Sequence, residues 1–243
     1  MNRVPAYTIA PLGDSALIID FGNSISLPVN EQVIALFNKL KQHPLHGMIE
    51  AVPAYSSLAV YYDVAAIRKK ITPGAVAFDW VSRELEKLLS DELVTPGHSG
   101  SLVSIPVCYE KEFGPDLEWI ATQNKIAAEE IIRLHTAGTY RVFMLGFLPG
   151  FAYMGEVDEK IATPRKQKPV PVKAGSVGIA GRQTGIYPLS SPGGWQIIGQ
   201  TPLHLFNKDE TSLTLLKPGD NVKFHSINKD EFIFLKPKPG GGA

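Results

Sequence analysis

At Tyr140 the texture of the chain changes. Before it, apolar residues recur at helical spacing in several segments. After it, that periodicity disappears and short β-type runs alternate with Gly and Pro clusters. The runs are Arg141 to Leu145, Ser176 to Ala180, Trp195 to Gly199, Leu213 to Leu216, Val222 to Ser226 and Glu231 to Leu235. Short strands in this number, punctuated by turn residues, bury their apolar faces by closing into a barrel or stacking as a sandwich. The second half of the chain is therefore expected to be one of these.

The first half reads as a small α+β unit. Tyr7 to Ala10, Ala16 to Phe21, Met48 to Val52 and Ser57 to Tyr62 are strand candidates. Val29 to Lys41 places Val33, Ile34, Leu36, Phe37 and Leu40 at helical spacing, with Pro28 near its start and Pro44 closing it. A second helix is expected from Pro73 to Leu89, with Thr72 as its N-cap. The stretch Thr95 to Gly100 reads as a linker and Ser101 to Val107 as a strand. Two further helical patches run from Asp116 to Gln123 and from Ala127 to His135, the latter stopped by Gly138. Lys236 to Ala243 is expected to fray.

Composition narrows the class. The 243 residues carry 24 basic and 24 acidic side chains, a net charge of zero. Global charge thus gives no reason to expect nucleic acid or a membrane surface as partner. The single cysteine, Cys108, excludes an intrachain disulfide and fits a reducing cytosol. The N-terminal residues lack the apolar run of a signal peptide, and no stretch approaches the roughly 18 apolar residues of a membrane helix. A cytoplasmic protein is expected.

The chemistry concentrates in two places. Between Glu159 and Asp209 there is no acid, while Lys160, Arg165, Lys166, Lys168, Lys173, Arg182 and Lys208 all fall there. Cationic side chains and glycine amides together favour an anion. The four lysines from Lys160 to Lys173 read as a solvated rim. Arg165 and Arg182 are the better candidates, because a guanidinium grips a carboxylate through two parallel hydrogen bonds. Arg182 is the second residue of GRQTGIYPLSSPGGW (181–195), which also holds Gln183, Thr184, Tyr187 and Trp195. Trp195 follows a Gly-Gly turn and is either a pocket wall or the plug of a barrel end. The second concentration is Gly146 to Gly155, where Phe147, Phe151 and Tyr153 either line an apolar pocket or pack as core at a corner. No phosphate loop, no His-Glu-x-x-His, no cysteine pair for zinc and no Gly-x-Ser-x-Gly elbow is present. The six histidines are scattered, and His135 reads either as a cation at a helix C-terminus or as a core or capping residue.

Several blocks resemble a known family in fixed order: Gly13 to Ala16, Arg133 to His135, Tyr140 to Tyr153, Thr163 to Arg165, Val172 to Ser176, Gln183 to Pro188 and Ser191 to Gly199. They are similar to the KipI family, also called allophanate hydrolase subunit 1 or the B subunit of 5-oxoprolinase. The likeness runs through nearly the whole chain and is weakest from Lys69 to Glu118. It implies an α+β protein with a small α/β N-terminal domain (residues 1–98) and a cyclophilin-like β-barrel (residues 99–243). It also implies a non-autonomous subunit of an ATP-dependent 5-oxoprolinase, which opens 5-oxoproline to L-glutamate with subunits A and C. Within that family one member inhibits a sensor histidine kinase, and related domains handle urea-derived amides; these are the alternatives. The resemblance implies no cofactor bound by this chain, with ATP used by the complex. Taken with these residues, it makes Arg182 or Arg165 the grip on a substrate carboxylate and Gln183 or Thr184 the partner of the amide. Phe147, Phe151, Tyr153, Tyr187 and Trp195 would then wall the pocket.

Overall fold

The computed structural model describes residues 7–90, 100–208 and 212–237. The chain divides into two compact units, Met1–Ser99 and Gly100–Ala243. Most of the expected linker (95–99), the expected boundary after residue 98 and the tail from 238 onward lie outside the described residues.

In the first unit, β1 (Thr8–Pro11), β2 (Ala16–Asp20), β3 (Met48–Pro53) and β4 (Ser57–Tyr62) form an antiparallel sheet in the order β1-β2-β4-β3. Strand alternation sends Leu17, Ile19, Leu58 and Val60 to one face, where all are fully buried. Onto that core α1 (Leu27–Gln42) brings Val33, Leu36 and Leu40, and α3 (Ala77–Ser90) brings Val81, Leu85 and Leu89. These spacings of three and four residues place each set on one helix face. Two details differ from expectation. Thr72 accepts a turn hydrogen bond from Ala75 N instead of capping a helix, so α3 starts at Ala77. A short helix α2 (Val64–Arg68) follows β4, capped by the Asp63 carboxylate, which accepts from Ala65 N and Ala66 N.

The second unit is built on a closed seven-stranded barrel. Its strands are β5 (Leu102–Cys108), β6 (Tyr140–Leu145), β7 (Ala152–Gly155), β9 (Ser176–Ala180), β10 (Gln183–Ile186), β12 (Gln196–Gln200) and β13 (Asn221–Ile227). They close in the order β10-β7-β6-β13-β5-β12-β9. The β5–β13 pair is parallel and the other pairs are antiparallel. A separate ribbon pairs β8 (Val170–Val172) with β11 (Ser191–Gly193). Helices α4 (Leu117–Asn124) and α5 (Ala128–Ala137) add Leu117, Ile120 and Ile131 to a core that includes Val107, Val142, Met154, Val177, Ile179, Ile186, Ile198 and Phe224.

Two expected strands are absent. Glu231 to Leu235 belongs to a helix, α6 (Lys229–Leu235). Its start is fixed by a capping box: Asn228 Oδ1 accepts from Glu231 N, and Glu231 Oε2 accepts from Asn228 N. Local capping outweighs the β-like composition of Phe232 to Leu235. Leu213 to Leu216 makes only a single bridge, Thr214 to Phe206, and does not join the barrel.

Candidate functional site

The strands β7, β10, β9 and β12 carry different layers on their two faces. Val177, Ile179, Ile186 and Ile198 belong to the barrel core, whereas Ala180 and Ile197 join a second cluster with Phe151, Val172, Tyr187 and Trp195. The two-residue period of a strand makes that division. The rings of this outer layer interlock. Phe151 meets Tyr153, Tyr187 and Trp195 with centroids 4.8, 5.1 and 5.4 Å apart, and Tyr153 meets Trp195 at 6.0 Å. Most of these contacts are edge-to-face, the arrangement favoured by ring quadrupoles.

The glycines of the 181–195 segment serve these rings. A Cβ at Gly185 would stand 3.0 Å from Trp195 Cζ3 and 3.2 Å from Phe151 Cζ. One at Gly193 would stand 2.3 Å from the Tyr187 hydroxyl oxygen, a distance real Cβ atoms do not reach. Glycine lets the rings lie directly on the sheet. Trp195, 5% exposed, is thus packed into the cluster on the outer face of these strands and does not plug the barrel end.

Arg165 completes this layer. Its guanidinium carbon stands 5.9 Å from the Trp195 ring centroid, within cation–π range. Burial raises the pKa of the Tyr153 and Tyr187 hydroxyls, and the positive charge of Arg165 offsets part of the rise at each. Arg165 is exposed, and among the described residues no carboxylate pairs with it. Phe147 projects from the loop between β6 and β7. It is 63% exposed, holds a left-handed φ of 69°, and meets Phe151 edge-on at 5.6 Å. A non-glycine residue held there is a strain that surrounding structure must enforce. Gln183 shares the face of Gly185 by alternation, so it belongs to the same layer.

The structure separates two expected members from this group. Arg182 lies in the turn between β9 and β10, three residues or roughly 10 Å along the strand from Gly185. There it pairs with Glu156 at 2.8 Å, in a cleft of about 440 Å³ also lined by Tyr140, Asp158 and Glu159. The neutralising acid comes from the residue after β7, just upstream of the acid-free stretch. Thr184 points the opposite way from Gln183. It is fully buried, and its Oγ1 lies 3.0 Å from His135 Nε2.

His135 is a core residue, closing a neutral chain of hydrogen bonds. Thr184 Oγ1 donates to Gly178 O at 3.1 Å, so its one proton is committed. His135 Nε2 must then be the donor to Thr184, leaving Nδ1 to accept from the Tyr109 hydroxyl at 2.8 Å. Burial alone lowers the imidazole pKa to about 3. Stacking on Phe224 at 4.5 Å and on Tyr140 at 5.3 Å fixes the ring plane.

One residue at the site was not singled out from the sequence. The Asp116 carboxylate, at the start of α4, pairs with Lys166 Nζ and accepts from Ile197 N at 2.6 Å. Its only sequence signal was its place as a helix-start residue.

Comparison with known proteins decides the family. The model of the carboxyltransferase domain, subdomains C and D, matches residues 7–216. The chain belongs to this family, and within it to the B subunits of 5-oxoprolinase. It is 47% identical over 232 residues to the 5-oxoprolinase B subunit of Bacillus subtilis, covering 95% of this chain and 97% of that one. Against the Escherichia coli O157:H7 protein of the same name the identity is 35%, over 92% of this chain and 96% of that one. The crystal structure of TTHA0988 superposes with a TM-score of 0.75 at 34% identity, covering 88% of this chain and 40% of that longer one. Among the described residues no helix is long and apolar enough to cross a membrane.

Proposed function

We propose that this chain is the B subunit of an ATP-dependent 5-oxoprolinase, which opens 5-oxoproline to L-glutamate together with subunits A and C. The observation that carries the reading is the 47% identity to a protein of that name over nearly the full length of both chains. In this reading residues 1–98 form a small α/β domain and 99–243 a cyclophilin-like barrel. The closed seven-stranded order and the TM-score of 0.75 support the second assignment.

The outer aromatic layer suits the substrate's chemistry. 5-Oxoproline is a five-membered lactam bearing a carboxylate. Arg165 would grip the carboxylate, and Trp195, Tyr153 and Phe147 would cover the apolar ring and displace water. Gln183 would face the lactam amide. In this reading Arg182 and Thr184 stand apart from the layer: the first pairs with Glu156, and the second is buried with its proton given to Gly178 O. The layer supplies binding and orientation, and the sequence carries no phosphate loop. Phosphate transfer from ATP therefore falls to the partner chains, and this chain is expected not to turn over alone.

The test is 5-oxoproline-dependent phosphate release by this chain mixed with its A and C subunits, with each component omitted in turn. Release that requires all three is the expected result. A complete mixture that stays silent, while this chain inhibits a sensor histidine kinase or a urea-derived amide supports turnover, overturns the reading.

A further inference from the structure

We propose that Asp116 is a positioning residue for Arg165. The inference rests on the functional reading in which Arg165 holds the substrate carboxylate. An exposed arginine is an effective grip only when the backbone beneath it is fixed. Three ties fix it. Pro164 O accepts from Gln196 Nε2 at 3.2 Å, Lys166 N donates to Gly194 O at 2.7 Å, and Lys166 Nζ is paired with Asp116 Oδ2.

The third tie does more than the others. The oxygen that holds Lys166 also accepts the backbone N–H of Ile197, while Asp116 N donates to Ile197 O at 2.9 Å. Ile197 stands two residues beyond Trp195. One carboxylate therefore joins the residue after Arg165 to the strand that starts directly after Trp195, the ring beneath it. The guanidinium and its platform share a single anchor. The side chains of Lys166 and Asp116 are only 17% and 20% exposed, so water and salt compete weakly with the pair. The division of labour is chemical as well. Of two adjacent cations, Lys166 is neutralised from outside the acid-free stretch, and Arg165 stays available to an anion.

Two substitutions approach the anchor from opposite sides. Asp116→Asn keeps an oxygen for Ile197 N–H but loses the charge that holds Lys166. Lys166→Met leaves Asp116 on Ile197. In the assembled complex, each is expected to raise the KM for 5-oxoproline about tenfold with kcat within about twofold of wild type. Asp116→Asn combined with Arg165→Gln is expected to show the KM of Arg165→Gln alone, because the anchor acts through that residue. Independently of turnover, the heteronuclear NOE of the Arg165 Nε–Hε group in the full chain is expected to fall in both single variants while that of Arg182 stays unchanged. Additive effects in the double variant, or an Arg165 NOE that does not move, overturn the proposal. If the wild-type mixture releases no phosphate with 5-oxoproline, the functional reading is what fails, and the NOE comparison alone decides whether Asp116 positions Arg165.

Discussion

Phe151→Ala is expected to lower the stability of the barrel unit by about 3–5 kcal/mol, the usual cost of deleting a fully buried ring. Phe151 is 1% exposed and is the hub of the outer layer, touching Phe147, Tyr153, Tyr187 and Trp195. Its removal empties the space between three rings, two of which, Trp195 and Tyr187, are themselves seated on Gly185 and Gly193, where the backbone leaves little room to collapse. Edge-to-face pairs add to the loss beyond the area buried. Phe147 provides the contrast. It is 63% exposed, so Phe147→Ala is expected to change stability by less than about 1 kcal/mol while weakening substrate binding. Urea denaturation of the two variants measures the difference. Equal losses would show that the layer is not centred on Phe151.

Acid is expected to destabilise the protein through His135. The folded state keeps this imidazole neutral down to about pH 3, whereas the unfolded chain protonates it near its ordinary value of 6.5. Between those values the unfolded state binds one more proton at this residue, so lowering the pH favours unfolding. The contribution is fully present above about pH 6.5 and is lost as the pH falls toward 3, at about 1.4 kcal/mol per pH unit. The groups against the ring are Tyr109, Thr184, Tyr140 and Phe224, none of them a carboxylate that would hold the cation. His135→Gln retains a donor for Thr184 and an acceptor for Tyr109 but cannot take up a proton. The variant is expected to be less stable at pH 7, because it loses both stacking contacts. Its dependence of unfolding free energy on pH between 6 and 4 is expected to be shallower by about one proton. Carboxylates elsewhere titrate alike in both proteins and cancel. Parallel slopes would contradict the buried neutral imidazole.

Much of this architecture is legible in the sequence. The two long helices of the first unit follow from periodicity, since Val33, Leu36 and Leu40 can share a face only in a helix, whereas the short α2 is not among the expected elements. The change at Tyr140 marks a region of short strands, and most of the expected runs are barrel strands. The exceptions have physical reasons. Phe232 to Leu235 looks like strand by composition, yet Asn228 and Glu231 form a capping box at the spacing that starts a helix. Leu213 to Leu216 is apolar enough for a strand, but its pairing with the segment around Phe206 stops at a single bridge and does not extend into a ladder.

The aromatic cluster of the candidate site was legible as a set of residue types but not as a map. The rings do assemble, and the glycines do allow close approach, though to those rings. Which arginine faces them depends on the β10–β7 register, which places Gln183 opposite Gly155 and brings Glu156 beside Arg182. Register is a property of two strands and cannot be read from one. Parity along β10 places Gln183 and Thr184 on opposite faces, but only the closed barrel shows which face is the interior. Asp116 was invisible for the same reason, lying 50 residues before its partner Lys166.

The most direct test of the central claim is the KM for 5-oxoproline of the assembled complex carrying Arg165→Gln, compared with one carrying Arg182→Gln. Loss of a charged hydrogen-bond partner for the carboxylate is worth about 1.5–3 kcal/mol, or roughly ten- to a hundredfold in KM. That rise is expected for Arg165→Gln, with a change within about twofold for Arg182→Gln. The reverse order, or no effect of either substitution, would show that the aromatic layer beneath Arg165 does not hold the substrate.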